Sequence, residues 1–259
     1  MQNERKQPVP EQPIIWNGWE HPEGTGVIIT GAASGIGQAA TILAARMGMK
    51  VAAWDMNLEG VNRTIERAEE YRENILPVRV QIGDDEEVAN AMKETVAFAK
   101  PHALVNVAGP QMIGHKWDFD EVTALAIGSI HRISQAFLAT DPEEGSSIVN
   151  ISALAGVFEG GGGDSWYAAA KSGIAGYTRH QAIELKGRPR VNSIAPGGPI
   201  VTPRNYNVLQ HMQGFIDKNP TGRAGRPEEI AAGILFLISP AASYINGVIL
   251  PIDGGLHLA

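Results

Sequence analysis

Val27-Ile28-Ile29-Thr30-Gly31-Ala32-Ala33-Ser34-Gly35-Ile36-Gly37 is the stretch that decides the fold. An apolar, β-branched run passes directly into a glycine-rich turn, and Gln38 to Met47 then carries a helical pattern that stops at Gly48. Strand, glycine turn and helix in that order open a unit whose next strand lies parallel to the first. Glycines let the backbone turn sharply and approach a pyrophosphate closely. The helix N-terminus offers the anion unpaired N–H groups and a partial positive charge. Gly31, Ser34, Gly35, Ile36 and Gly37 are therefore candidate dinucleotide contacts.

Outward from this turn, short apolar runs alternate with longer stretches of helical period. The runs are Val27 to Thr30, Val51 to Trp54, Leu76 to Ile82, Ala103 to Val107, Ser147 to Ile151, Val191 to Ile194 and Val248 to Ile252. Near-continuous apolar strands are expected where a parallel sheet is covered on both faces, and the connections are long enough for crossover helices. The expectation is α/β: a single-domain, Rossmann-like, doubly wound, seven-stranded parallel sheet over residues 25–259. Residues 1–24, proline-punctuated and polar, read as an irregular tail that Trp16 and Trp19 could pin to the domain.

Composition narrows the partners. A net charge of -7 with no dense Lys/Arg cluster argues against nucleic acid. The absence of cysteine excludes disulfide and thiolate chemistry. No run has the length of a signal-peptide core or a membrane span, so the expectation is a cytoplasmic protein without a membrane partner. The seven histidines show no metal-ligand spacing backed by carboxylates.

Two further features carry chemistry. The second strand ends at Asp55, where a carboxylate can accept hydrogen bonds from ribose hydroxyls and repel a 2′-phosphate, which favours NAD over NADP. Tyr167 and Lys171 are one helical turn apart and share a face. An ammonium beside a phenol favours the phenolate and draws its pKa toward working pH, making tyrosine usable as acid and base.

Thr30-Gly31-x-x-x-Gly35-x-Gly37, Asn106-x-Ala108-Gly109 and Tyr167-x-x-x-Lys171 resemble, in order and spacing, the short-chain dehydrogenase/reductase family. Pro196-Gly197, Gly222-Arg223-x-Gly225-x-Pro227-Glu228-Glu229 and Asp253-Gly254-Gly255 extend the likeness over about residues 25–255. The resemblance implies that Tyr167 handles the proton of the reacting oxygen and that Lys171 also binds the nicotinamide ribose. It implies that Asn106, Ala108 and Gly109 line the cofactor, with Pro196, Gly197, Ile200 and Thr202 near the nicotinamide carboxamide. Gly198-Pro199 makes that last loop one residue longer than the family's usual one. A homotetramer or homodimer is implied as well, packed through the Tyr167 helix and the helix around Leu125 to Ala139.

The sequence also departs from the family. Its catalytic serine position is occupied by Ala153, and Ser152, one residue earlier in a strand, should face the opposite way unless the chain bulges. Its helix asparagine is replaced by Ala126, and the aspartate that usually meets adenine by Gln81, with Asp84 three residues on. Ser152 and Ser165 are the candidate substitute donors, Ser165 being equally suited to start the Tyr167 helix. His115 and His131 are weaker candidates for a proton donor.

The expected activity is reversible, NAD(H)-dependent interconversion of a secondary alcohol and a ketone. Thr202 to Arg226 would form a lid, in which Tyr206, Val208, Leu209, Met212 and Phe215 suggest an apolar or cyclic small-molecule substrate. The alternative is a catalytically impaired dinucleotide-binding protein with a regulatory or assembly role.

Overall fold

In the computed structural model, which describes residues 18–110, 116–158, 164–203, 206 and 212–259, seven parallel strands form one sheet in the order β3-β2-β1-β4-β5-β6-β7. The strands are β1 (Gly26–Thr30), β2 (Lys50–Asp55), β3 (Ile75–Arg79), β4 (Pro101–Asn106), β5 (Ser147–Ile151), β6 (Arg190–Pro196) and β7 (Ile249–Ile252). The helices are α1 (Gly35–Arg46), α2 (Leu58–Arg67), α3 (Asp85–Phe98), α4 (Phe119–Leu138), α5 (Ser165–Glu184), α6 (Gln213–Lys218) and α7 (Pro227–Ile238).

Strand alternation divides the core between the two faces. Val27 and Ile29 of β1 join Val51 and Ala53 of β2 against α1, α2 and α7, where Ala40, Ala44, Val61 and Ile234 are buried. Ile28, Ala52, Trp54 and Leu104 point the other way, onto Val88 and Met92 of α3 and Ile133 and Phe137 of α4. Both faces of the sheet are thus dry, as the unbroken apolar strands demand.

The third strand is shorter than its apolar run. It ends at Arg79 rather than Ile82, because Asp84 caps α3 by accepting from the N–H groups of Glu86 and Glu87, and the chain turns toward that cap. Asp84 is thereby committed to the helix end. Residues 18–24 are docked: Trp19 lies 4.9 Å from Phe236 between ring centroids, His21 is buried, and the Gly24 N–H donates to the Gly48 carbonyl. Strand order reverses between β1 and β4, which opens a crevice at the carboxyl ends of these neighbours. No helix among the described residues is long and apolar enough to cross a membrane.

Candidate active site

The turn after β1 is built for close approach. Gly31 has φ +73°, and a Cβ there would stand 3.1 Å from the Ala108 nitrogen. At Gly37 a Cβ would fall 2.1 Å from the Gly31 carbonyl oxygen, so helix α1 can enter only on a glycine. Ser34 precedes the helix in extended conformation and its side chain does not cap it, leaving the first-turn N–H groups to an anion.

Thr30 couples this turn to the end of β4. Its hydroxyl accepts from the N–H groups of Val107 at 2.9 Å and Ala108 at 3.0 Å, and donates to the Val105 carbonyl. Beneath them Asn106 donates to Asn150, and Asn150 donates to Thr178 on α5, both at 2.9 Å. The Asn106 Oδ1 atom is buried without a partner among the described residues, an acceptor that a bound group can satisfy. Asp55 holds the turn from the other side, accepting from the N–H of Ala33 at 3.0 Å and of Asn57 at 2.9 Å. An uncapped helix end, a glycine cradle, an orphaned acceptor and a carboxylate at the β2 end fit a dinucleotide.

Ser165 opens α5, and Tyr167 and Lys171 follow on one face. The Lys171 Nζ donates to the Ile151 carbonyl at 2.9 Å, at the end of β5, and lies 5.6 Å from the centroid of the Tyr167 ring. Both side chains line a small cleft with Ala108 and Gly109 from the β4 end; Ala126 of α4 closes it. The fold thus brings Tyr167, Lys171, Ala108 and Gly109 together. Burial raises the pKa of Tyr167 and pushes that of Lys171 down to about 8. Desolvation disfavours both charged forms and outweighs their proximity.

Neither substitute serine stands at the cleft. Ser152 is buried, its hydroxyl donating to the Ile194 carbonyl on β6 and accepting from Ser193, both at 3.0 Å. No bulge turns it round, and strand alternation aims it into the sheet as the pattern warned. Ser165 is exposed at the first position of α5. His131 pairs instead with Tyr177 at 2.9 Å on the exposed side of α4 and α5. His115, Val208 and Leu209 lie outside the described residues.

After β6, Pro196 and Gly197 lead to Ile200, which bridges Gly225 and is buried. Thr202 reaches the glycine turn, its Cγ2 lying 3.3 Å from where a Cβ on Gly35 would be. Trp166, which lines the cleft and meets Tyr167 edge to face at 5.6 Å, escaped the sequence reading, as did Asn150 and Thr178. A polar Asn150 within the apolar run Ile148-Val149-Asn150-Ile151 was the available signal.

A family model described as enoyl-(acyl carrier protein) reductase matches residues 31–257. The 3-oxoacyl-[acyl-carrier-protein] reductase FabG of Thermotoga maritima is 35% identical, over 90% of this chain and 98% of its own. Levodione reductase of Leifsonia aquatica is 34% identical, over 90% of this chain and 94% of its own. A crystal structure of levodione reductase superimposes with a TM-score of 0.82 at 32% identity, covering 92% of this chain and 99% of that one. Cis-4-hydroxycyclohexanecarboxylate dehydrogenase of Sinomonas cyclohexanicum is 34% identical, over 88% of this chain and 94% of its own.

Proposed function

We propose that this chain, which belongs to the short-chain dehydrogenase/reductase family of oxidoreductases acting on CH–OH groups, interconverts a secondary alcohol and a ketone on an apolar or cyclic small molecule, with NAD as cofactor. The observation that carries this reading is the meeting of Tyr167 and Lys171 with Ala108 and Gly109 in one cleft. There the cofactor-lining turn and a proton-bearing phenol lie side by side.

Gly31, Ser34, Gly35, Ile36 and Gly37 would hold the pyrophosphate, Asn106, Pro196, Gly197, Ile200 and Thr202 the nicotinamide end, and Lys171 the nicotinamide ribose. A dinucleotide held there would supply the hydride acceptor for oxidation and the hydride donor for reduction. In oxidation the Tyr167 Oη takes the hydroxyl proton as the C–H and O–H bonds break and the carbonyl forms; in reduction it gives the proton back. A Lys171 ammonium favours the phenolate that the first direction needs. The Asp55 carboxylate supports NAD, since it would lie against a 2′-phosphate. The cyclic substrate class is supported by the relatives named for levodione and for 4-hydroxycyclohexanecarboxylate. The reading includes a homotetramer or homodimer packed through the outer faces of α4 and α5.

With Ala153 in place of the serine, the reacting oxygen loses a donor worth about two to three decades in rate, and with Ala126 in place of the asparagine the family's support for a proton-relay water is lost as well. That favours a slow enzyme or, as a second reading, a dinucleotide-binding protein without turnover. Incubation with NAD and a panel of secondary alcohols, following the absorbance of reduced cofactor, separates them. Turnover abolished by Tyr167→Phe supports the enzyme; tight NAD binding with no turnover on the whole panel supports the second reading.

A further inference from the structure

After β7 the chain passes through Asp253-Gly254-Gly255 into a short turn of 3₁₀ helix, Leu256–Leu258. Asp253 is buried, and its carboxylate accepts from the main-chain N–H groups of Gly255 at 3.0 Å and His257 at 2.9 Å. It also receives the His257 Nδ1 at 2.7 Å. Burial alone would raise the Asp253 pKa, but these N–H bonds from His257 and Gly255 outweigh it and the net shift is downward. An ionised acceptor fixes the imidazole tautomer: Nδ1 carries the proton toward Asp253. The Nε2 atom is left facing away, without a partner among the described residues, on a side chain that is 23% exposed.

Three segments that follow β5, β6 and α6 converge on this pair. Phe158, in the connection from β5 to α5, lies 5.5 Å from the His257 ring between centroids. Gly197, just after β6, packs so closely that a Cβ on it would fall 2.6 Å from both the Asp253 Cβ and the Leu154 side chain. Asn219, which closes α6, donates to the Asp253 carbonyl at 2.8 Å. The pair therefore stands at the carboxyl ends of β5, β6 and β7, the same sheet edge as Tyr167. Asp253 already ties these segments through its main-chain bonds and Cβ packing. The imidazole adds an aromatic face and one outward nitrogen, which is the chemistry that binds a ring with an oxygen on it.

We infer that His257, oriented by Asp253, is a substrate-positioning residue whose Nε2 takes a second oxygen of a ring substrate, at the end away from the carbon being oxidised. The inference rests on the redox reading and names its substrate class: ring alcohols or ketones with a further hydroxyl, carbonyl or carboxylate oxygen.

Initial rates with NAD on cyclohexanol and on cyclohexane-1,4-diol test it. The full-length wild-type chain is expected to favour the diol in kcat/KM by about tenfold or more, the usual effect of one good hydrogen bond in a partly desolvated site. In His257→Phe that ratio is expected to fall by about tenfold, carried by KM rather than kcat, while His257→Gln, whose amide can still meet the oxygen, retains most of it. Thermal melting of each variant reports folding separately. A ratio in His257→Phe within about twofold of wild type, or a loss confined to kcat, overturns the inference. Wild-type oxidation of both probes without preference also overturns it and leaves the redox reading standing. Failure of wild type on every secondary alcohol overturns both.

Discussion

The Lys171 Nζ donates to the main-chain oxygen of Ile151 at 2.9 Å, which fastens α5 to the end of β5. That bond fixes where the amine sits beside Tyr167, and burial there pushes its pKa down to about 8. The ammonium form is present below that value and lost as pH rises through it. The rate of alcohol oxidation is accordingly expected to stop rising near pH 8, well below the ordinary lysine range. In Lys171→Met the break at that pH disappears. A wild-type profile that climbs without inflection to pH 10 contradicts the assignment.

Tyr167→Phe removes only the hydroxyl from a ring packed edge to face on Trp166. The fold should persist, and kcat is expected to fall by about 10²- to 10⁴-fold. Calorimetric titration with NAD should show binding little altered, because the loss belongs to proton transfer.

Asp55→Asn tests cofactor choice: the amide oxygen can still accept from the Ala33 N–H that the carboxylate now holds, while the Asn57 N–H loses its acceptor. Removing the charge is expected to raise the ratio of NADP to NAD utilisation by about tenfold or more. An unchanged ratio of kcat/KM values would sink the account of Asp55.

Ser152→Ala separates structure from catalysis. It removes both bonds of the Ser152 hydroxyl, while the Ile194 carbonyl keeps the Ser152 N–H and the Ser193 hydroxyl keeps the Ile194 carbonyl, at a cost of about 0.5–1.5 kcal/mol. The effect is expected in the melting temperature, with kcat little changed. Ser165→Ala, on an exposed position, should do little to either.

His21 makes stability depend on acid. Burial foremost, then repulsion from His102 and Arg190, lowers its pKa from 6.5 to about 4 against the pull of the Ile238 carbonyl. The unfolded chain thus binds a proton that the folded chain refuses between those values. This contribution is complete above pH 6.5 and is lost as pH falls to about 4, amounting to at most about 3 kcal/mol. Urea unfolding at pH 7 and 4.5 measures it, and His21→Gln should flatten the difference.

Much of this was legible in the chain. The apolar runs foretold every strand, β5 to the residue, because a sheet buried on both faces imposes an unbroken pattern. The glycine turn, Asp55 and the Tyr167 pair were readable because local spacing alone decides their placement. The end of β3 was not, since an apolar Ile82 looks like strand until Asp84 is seen capping α3. Nor was the phenol's raised pKa, which depends on how much water the folded cleft admits. His257 escaped for a related reason: its role arises from Phe158, which is distant in sequence and adjacent only after folding.

The Thr30 hydroxyl, which takes two N–H groups from the loop after β4 while belonging to β1, makes the two halves of the nucleotide cradle a single mechanical part. Loops of this cradle cannot be exchanged one at a time. A transplanted β1 turn that lacks the threonine would strand the Val107 and Ala108 amides, so re-engineering of cofactor preference in this scaffold has to move both loops as one cassette or leave both in place.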